Sequence, residues 1–345
     1  VADAPELAVI IGAYRRETFL LSAVRSVLDQ SLSRDRYEVF VTKSFRREDV
    51  DRFLADHRIP TALDDEGRIG PWLLRAVRAT TAPLIAFLDD DDEFERTRLA
   101  DVLEVFRTHP DVGFYRNRVR VIDGDGAPVP NERWRPHERD ESFDRSGPIY
   151  LPADKKSSLP GLFRSIPGIA FNSSTMVVRR ELVNGAFSAT FARSQLPDLA
   201  VFLLGAVGPW GVYLDDRRLT RFRYYGENVT HRVGWLRHAA EAHRDLAAFA
   251  RERGNVELAA ALSSESEHYF RLYLGGTVTS QVADGATPGE VARSAAEYLR
   301  YLGRHPAERS WTLDVWAALA YAAAYPAAPG IVRRLQARRF TRRVD

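Results

Sequence analysis

Leu84-Ile85-Ala86-Phe87-Leu88 runs directly into Asp89-Asp90-Asp91-Asp92, five apolar residues ending on four carboxylates. A short continuous apolar run is the pattern of a strand buried on both faces, as in a parallel sheet covered by helices. Four adjacent aspartates repel one another unless water or a cation neutralises them. If extended geometry continues past Leu88, Asp89 and Asp91 project to one side and Asp90 and Asp92 to the other. One such pair suits a hard divalent cation, because Mg2+ and Mn2+ are held by one or two carboxylates together with phosphate oxygens. The alternative is a solvated turn capping the next helix, where aspartate complements the dipole.

The flanking chain alternates strand and helix. Leu7 to Ile11 is a short apolar run closed by Gly12, and Thr18 opens a segment with Phe19, Ala23, Val24, Val27 and Leu28 on one helical face. The loop between them, Gly12-Ala13-Tyr14-Arg15-Arg16-Glu17, lies at the carboxyl end of a strand, where open α/β sheets bind ligands. Tyr14 can stack on a base and an arginine can meet a phosphate, although an ordinary solvated loop accounts for the same residues. Tyr37 to Val41 reads as a second strand leaving through Thr42-Lys43-Ser44, and Arg46 to Ala55 as a helix. Ile59 to Leu63 is a short extended piece, and a polar turn containing Asp64, Asp65 and Arg68 leads to a helix with Leu73, Leu74 and Val77. This spacing implies a doubly wound, mostly parallel sheet.

Beyond the aspartates, Arg98 to Thr108 is helical, Val112 to Tyr115 and Arg118 to Ile122 read as two strands, and Asp123 to Gly126 as a hairpin turn. Residues 128 to 160 form an irregular insert whose Trp134, Phe143 and Tyr150 offer faces to a sugar ring or a lipid. Ile169 to Val178 reads as a strand with a polar centre at Asn172-Ser173-Ser174. Pro197 suits a first helical turn, which places Asp198 at a helix start, as a dipole partner or as a carboxylate aimed into a cleft.

The 345 residues exceed one ordinary core, so two domains or a domain with an appendage are expected. A net charge of +2 gives no general attraction to nucleic acid, and the absence of cysteine excludes disulfides, thiolate metal sites and cysteine nucleophiles. From Trp235 the texture is helical: Leu236 to Arg253, Val256 to Leu274 and Pro288 to Leu302, with breaks expected at Gly254, Gly275-Gly276 and Gly303. Val315 to Val332 is Ala-rich and interrupted by Pro326 and Pro329, which suits no bilayer span. Six arginines follow between Arg333 and Arg343. They fit an anionic membrane surface, or equally a solvated tail after a bundle helix. Val1 to Glu6 lacks the basic and apolar regions of a leader, so a cytoplasmic location, peripheral to a membrane at most, is expected.

Taken in this order, strand one, the Gly-Ala-Tyr-Arg loop, Ser26-Val-Leu-Asp-Gln-Ser31 and Phe87-Leu-Asp-Asp-Asp-Asp92, the first third resembles family 2 glycosyltransferases of the GT-A fold. Asn172 to Arg180, Asp198 before an apolar helix, and Leu219 to Tyr225 extend the resemblance over residues 7 to 232. It implies a Rossmann-like GT-A domain over 1 to 232; the helical texture that follows lies outside the resemblance and reads as a separate helical domain with a basic tail over 233 to 345. It also implies an inverting transfer from a nucleoside-diphosphate sugar, with Mg2+ or Mn2+, to a glycan, lipid-linked or polyprenyl-phosphate acceptor.

Carried over residue by residue, Ala13 and Tyr14 flank the nucleobase and ribose, Asp89 and Asp90 approach ribose and diphosphate, Asp91 binds the metal and Asp198 is the general base. Arg16, Lys43 and Asp65 are further candidates for the donor, and His231 for the metal or diphosphate. Lys43 stands where the family commonly has an acidic base reader, and Leu73 where it commonly has an arginine. These departures leave a second reading, a nucleotide-sugar-binding protein that keeps the scaffold without turnover.

Overall fold

The computed structural model describes residues 4–14, 17–64, 69–129, 147–166, 168–184, 188–194, 196–225, 233–305 and 313–332. The chain divides into two compact units, residues 1–225 with 246–261, and residues 226–245 with 262–345.

The first unit is built on one mixed sheet. Its strands are β1 (Leu7–Ala13), β2 (Tyr37–Lys43), β3 (Thr61–Leu63), β4 (Leu84–Asp89), β5 (Glu93–Phe94), β6 (Val112–Ile122), β7 (Ile149–Leu151), β8 (Met176–Arg179) and β9 (Gly211–Arg223). They lie in the order β3-β2-β1-β4-β8-β6-β9-β5, with β7 on β9. β1 to β4 are mutually parallel, and β8 runs against both β4 and β6, so β6 and its parallel neighbour β9 point the same way as β4. The carboxyl ends of β1, β2, β3, β4 and β9 therefore open on one edge, with Gly12 beside Asp89 and Ala13 beside Lys43.

β4 is continuously apolar because both of its faces are covered. Leu84, Ala86 and Leu88 join a buried core with α1 (Leu20–Leu28), α2 (Glu48–Asp56) and α4 (Arg98–Thr108). Among the described residues, α3 (Ile69–Arg78), a short α5 (Leu159–Ser165), α6 (Ser188–Arg193) and α7 (Pro197–Val207) complete the helices of this unit up to β9. Phe87 meets Phe191 of α6 at 5.9 Å between ring centroids, and Phe114 meets Phe202 of α7 edge-on at 5.8 Å.

Several expected elements take a different form. Val112 to Ile122 is one strand, because its register against β9 shifts locally while the pairing continues. The turn at Asp123 to Gly126 holds, with the Gly126 amide donating to the Asp123 carbonyl at 3.1 Å. Of Ile169 to Val178 only the end is strand, since Asn172 adopts φ 67° and a single 3-10 turn occupies Ser173–Thr175.

The remaining helices among the described residues are α8 (Val233–Glu252), α9 (Val256–Asp284), α10 (Pro288–Arg304) and α11 (Leu313–Ala324). Gly275-Gly276 does not break α9. A Cβ on Gly275 would lie 3.3 Å from the Tyr298 ring of α10, and one on Gly276 3.4 Å from Val233 of α8, so each glycine lets a neighbouring helix approach α9 closely. Thr287 and Glu290 form a reciprocal capping box that starts α10. No helix among the described residues is long and apolar enough to cross a membrane. The arginines from 333 to 343 lie outside the described residues.

Candidate active site

The four aspartates do not continue the strand. β4 ends at Asp89, and the Asp92 amide donates back to the Asp89 carbonyl at 3.2 Å, closing a turn before β5. The expected alternation of two carboxylates on each side is thereby replaced by a cluster. Asp89, Asp91 and Asp92 each offer an oxygen to one point, with these atoms within 4.8 Å of one another, while Asp90 is fully buried.

Each member of the cluster is oriented by a neighbour. Ser173 Oγ donates to Asp89 Oδ1 at 2.9 Å, and the Tyr225 hydroxyl donates to Asp91 Oδ2 at 3.2 Å. Asn172 Nδ2 donates to Asp92 Oδ2 at 2.7 Å, and the Arg223 amide donates to Asp92 Oδ1 at 3.0 Å. The Arg223 guanidinium ties this turn to the one after β6, donating to the carbonyl of Asp91 in the first and to those of Asp123 and Gly124 in the second at 2.9 to 3.0 Å, and pairing with Glu93 at 2.5 Å. Burial, together with the charges of Asp91 and Asp89, pushes the Asp92 carboxyl well above its ordinary value. A buried group of like charges with hard oxygen donors is the chemistry that fits a divalent Mg2+ or Mn2+ ion.

A buried polar chain fixes this corner from behind. The Asp89 amide donates to Ser174 Oγ at 3.0 Å, Thr220 Oγ1 donates to the Ser174 carbonyl at 3.1 Å, and Asn117 Nδ2 donates to Thr220 Oγ1 at 2.9 Å. Arg98, fully buried, ends the chain by donating to Asn117 Oδ1 at 2.9 Å.

Asp198 occupies the first turn of α7 behind Pro197, as its sequence position suggests. Its Oδ1 accepts from the Leu199 amide at 2.8 Å and its Oδ2 from the Asn172 amide at 3.3 Å. Burial raises its carboxyl above the ordinary value against the opposing pull of these amides. Asn172 thus touches both Asp92 and Asp198.

Among the donor candidates, Ala13 is buried at the end of β1, and its carbonyl accepts from the Ser44 amide at 3.0 Å. Tyr14 lies against Trp72 at 5.3 Å between centroids. Lys43 is buried and engaged, donating to the Phe45 carbonyl at 2.7 Å and pairing with Asp51 at 2.6 Å. The neighbouring Asp64 is buried and pairs with Arg75 at 2.7 Å. Leu73 packs at the same edge, 3.4 Å from where a Gly12 Cβ would stand. Arg16, Asp65, Arg68, Trp134, Phe143 and His231 lie outside the described residues.

Tyr150 is not near the cluster. It pairs with Tyr213 at the start of β9, whereas Arg223 is at that strand's far end, about 30 Å away at the usual rise per residue. Its hydroxyl instead donates to Asp111 Oδ1 at 2.6 Å. Conversely, Asn172, Ser173 and Arg223 were not singled out for the metal corner by sequence, and Tyr225 only as standing near where the resemblance expects a histidine. Their only signals are a polar triplet interrupting an apolar stretch and the mixed Arg-Phe-Arg-Tyr-Tyr run that closes β9.

Residues 8–156 match the family model for glycosyl transferase family 2. The chain carries a family 2 glycosyltransferase domain. The acidic turn, at the carboxyl end of β4, falls inside that domain, whereas Asn172, Asp198 and Tyr225 lie beyond the matched residues. The fold of this glycosyltransferase is similar to that of S. aureus TarS 1-349 in complex with UDP-GlcNAc, with TM-score 0.57 and 13% identity over 98% of this chain and 92% of that one. It is also similar to the mannosyltransferase PcManGT from Pyrobaculum calidifontis in complex with GDP-Man and Mn2+, with TM-score 0.53 and 16% identity over 94% and 87% of the two chains. At such identities the likeness is one of fold. No curated protein matches the chain.

Proposed function

We propose that this glycosyltransferase moves a sugar from a nucleoside-diphosphate donor to an acceptor hydroxyl, with inversion at the anomeric carbon. The observation that carries the reading is the link through Asn172 between the acidic cluster and Asp198. It sets a cation-binding corner and a carboxylate of raised basicity beside one another at the carboxyl edge of the sheet. The relatives solved with UDP-GlcNAc and with GDP-Man and Mn2+ support a nucleotide sugar as donor.

Asp91, with Asp89 and Asp92, holds Mg2+ or Mn2+, and Ala13 and Tyr14 frame the base and ribose. When bound, such an ion would supply positive charge that offsets the charge of the diphosphate. Asp198 takes the proton from the acceptor hydroxyl. The acceptor oxygen then bonds to the anomeric carbon as the carbon–oxygen bond to the diphosphate breaks on the opposite face. Asn172 keeps the base pointed at that hydroxyl by its amide, and Tyr225 and Ser173 orient the metal carboxylates. The ion pair of buried Lys43 with the partly exposed Asp51 makes Lys43 a support of the β2 edge in this scheme rather than a free ligand for phosphate.

A thermal-shift panel of UDP, GDP and dTDP sugars, with and without Mn2+, tests the donor, because a ligand bound only by the folded state raises its melting temperature. One donor class stabilising the protein in a Mn2+-dependent manner, and releasing its nucleoside diphosphate when acceptor is added, is the expected result. Stabilisation by no nucleotide sugar, with or without metal, removes the reading.

A further inference from the structure

The second unit holds a groove of about 690 Å3 between residues of α8, α9 and α10, well removed in sequence from the acidic turn. That volume is in the range of small-ligand pockets, about 300–1,000 Å3. Its floor is aromatic. The Tyr301 ring stacks on His305 at 4.4 Å between centroids, and Phe270 meets it edge-on at 5.4 Å. The Tyr301 hydroxyl donates to the Glu267 carbonyl at 2.9 Å, which fixes the ring in place.

Three arginines surround this floor: Arg244 from α8, and Arg300 and Arg304 one turn apart on α10. Among the described residues none of the three forms an ion pair, whereas Arg237, also on α8, pairs with Glu241 at 2.9 Å. Glu267 and Glu297 line the same groove without closing on these guanidinium groups. Cations, carboxylates and ring faces together match a ligand that is cyclic, hydroxyl-rich and anionic. A sugar ring lays its C–H face on an aromatic side chain, its hydroxyls donate to the glutamates, and guanidinium forks bind a phosphate or carboxylate. A bare polyphosphate would meet the two glutamates with no compensating hydroxyl.

We propose that this groove binds an anionic saccharide, a sugar ring bearing a phosphate or a carboxylate, at a site separate from the nucleotide-sugar site. The proposal stands on the second unit alone and does not depend on the donor reading.

Isothermal titration of the full chain with glucose 1-phosphate and with glucuronate tests it, with glucose and inorganic phosphate as controls and each titration run without and with excess UDP and GDP to fill any nucleotide site. At least one anionic sugar is expected to bind with saturating heat, the stronger of the two telling whether phosphate or carboxylate is preferred. Glucose and inorganic phosphate should each bind at least about tenfold more weakly. The double variant Arg300→Gln/Arg304→Gln should lose affinity about tenfold or more while its melting temperature and UDP or GDP binding are unchanged. Because those arginines are exposed, the variant is expected to fold, and Arg244→Gln provides an independent substitution from another helix. The proposal is overturned if neither anionic sugar binds, if inorganic phosphate binds as tightly as glucose 1-phosphate, if UDP or GDP abolishes the binding, or if all three substitutions leave affinity unchanged.

Discussion

The backbone amide of Asn172 donates to Asp198 Oδ2 at 3.3 Å while the same residue's side-chain amide donates to Asp92 Oδ2 at 2.7 Å. Asn172 reaches both because its backbone is left-handed, with φ 67°, a conformation asparagine tolerates better than most residues. Its Oδ1 also accepts from the Ser174 amide at 2.7 Å, so the side chain has no freedom to rotate away.

Asn172 substitutions separate these two contacts. Asn172→Gly keeps the backbone conformation and the amide facing Asp198 but removes the bond to Asp92. It should weaken Mn2+ binding by about ten- to a hundredfold, the usual cost of losing an outer partner of a metal ligand. The acidic limb of its kcat profile should remain in place. Asn172→Ala adds backbone strain of about 1–2 kcal/mol and should also lower the unfolding free energy, measured in urea. Equal Mn2+ affinity in Asn172→Gly and the unaltered protein would remove this link from the metal site.

Asp198→Asn should reduce turnover by about a hundredfold to ten-thousandfold, with donor binding by calorimetry unchanged, because only proton transfer is lost. Since burial raises the Asp198 carboxyl above 3.8, its deprotonation and hence kcat should rise through a pH range above the ordinary aspartate value. A kcat that is flat from that value upward would contradict the base role.

Chelation and pH act on the cluster together. The raised Asp92 carboxyl keeps a proton in the folded protein that the unfolded chain releases near the ordinary value of 3.8. The unfolded state therefore binds fewer protons in this window, and the metal-free protein loses stability as pH rises from 3.8 toward the raised value. In chelator the melting temperature should fall across that interval, and Asp92→Asn should flatten the fall. The increment in melting temperature from Mn2+ should grow with pH over the same range, because the cation competes with the proton.

Asp91→Asn, which removes one charge but keeps the shape, should lower Mn2+-stimulated transfer by about a hundredfold or more. Its Tyr225 contact is recoverable by the amide oxygen, so folding stability should change little. Transfer assayed across a Mn2+ titration distinguishes weaker metal binding, which excess Mn2+ overcomes, from a lost chemical contribution, which it does not.

Gly205, on the helix that carries Asp198, probes the packing of α7 against β6. A Cβ there would stand 2.5 Å from Phe114 Cβ, so Gly205→Ala should destabilise the first unit by about 1–3 kcal/mol. Urea unfolding should show this shift without a change in donor affinity.

The sequence by itself determined the alternation of strands and helices, the parallel β1–β4 core and the strand that ends on aspartates. Local periodicity and two-sided burial leave few other arrangements for an apolar run such as Leu84 to Leu88. It also placed Asp198 behind Pro197 at a helix start, because that signal is confined to neighbouring residues. Only the tertiary structure decided which carboxylates meet. Counting along an extended chain separates Asp91 from Asp92, but the turn sealed by the Asp92 amide, with Arg223 from β9 gripping the Asp91 carbonyl, brings them together with Asp89. The same is true of Asn172, whose partners stand 80 residues before it and 26 after it in the chain. Gly275-Gly276 reads as a helix end by sequence, but Tyr298 and Val233, supplied by two other helices, give these glycines packing roles. In each case the deciding contact comes from chain distant in sequence, which periodicity and propensity do not register.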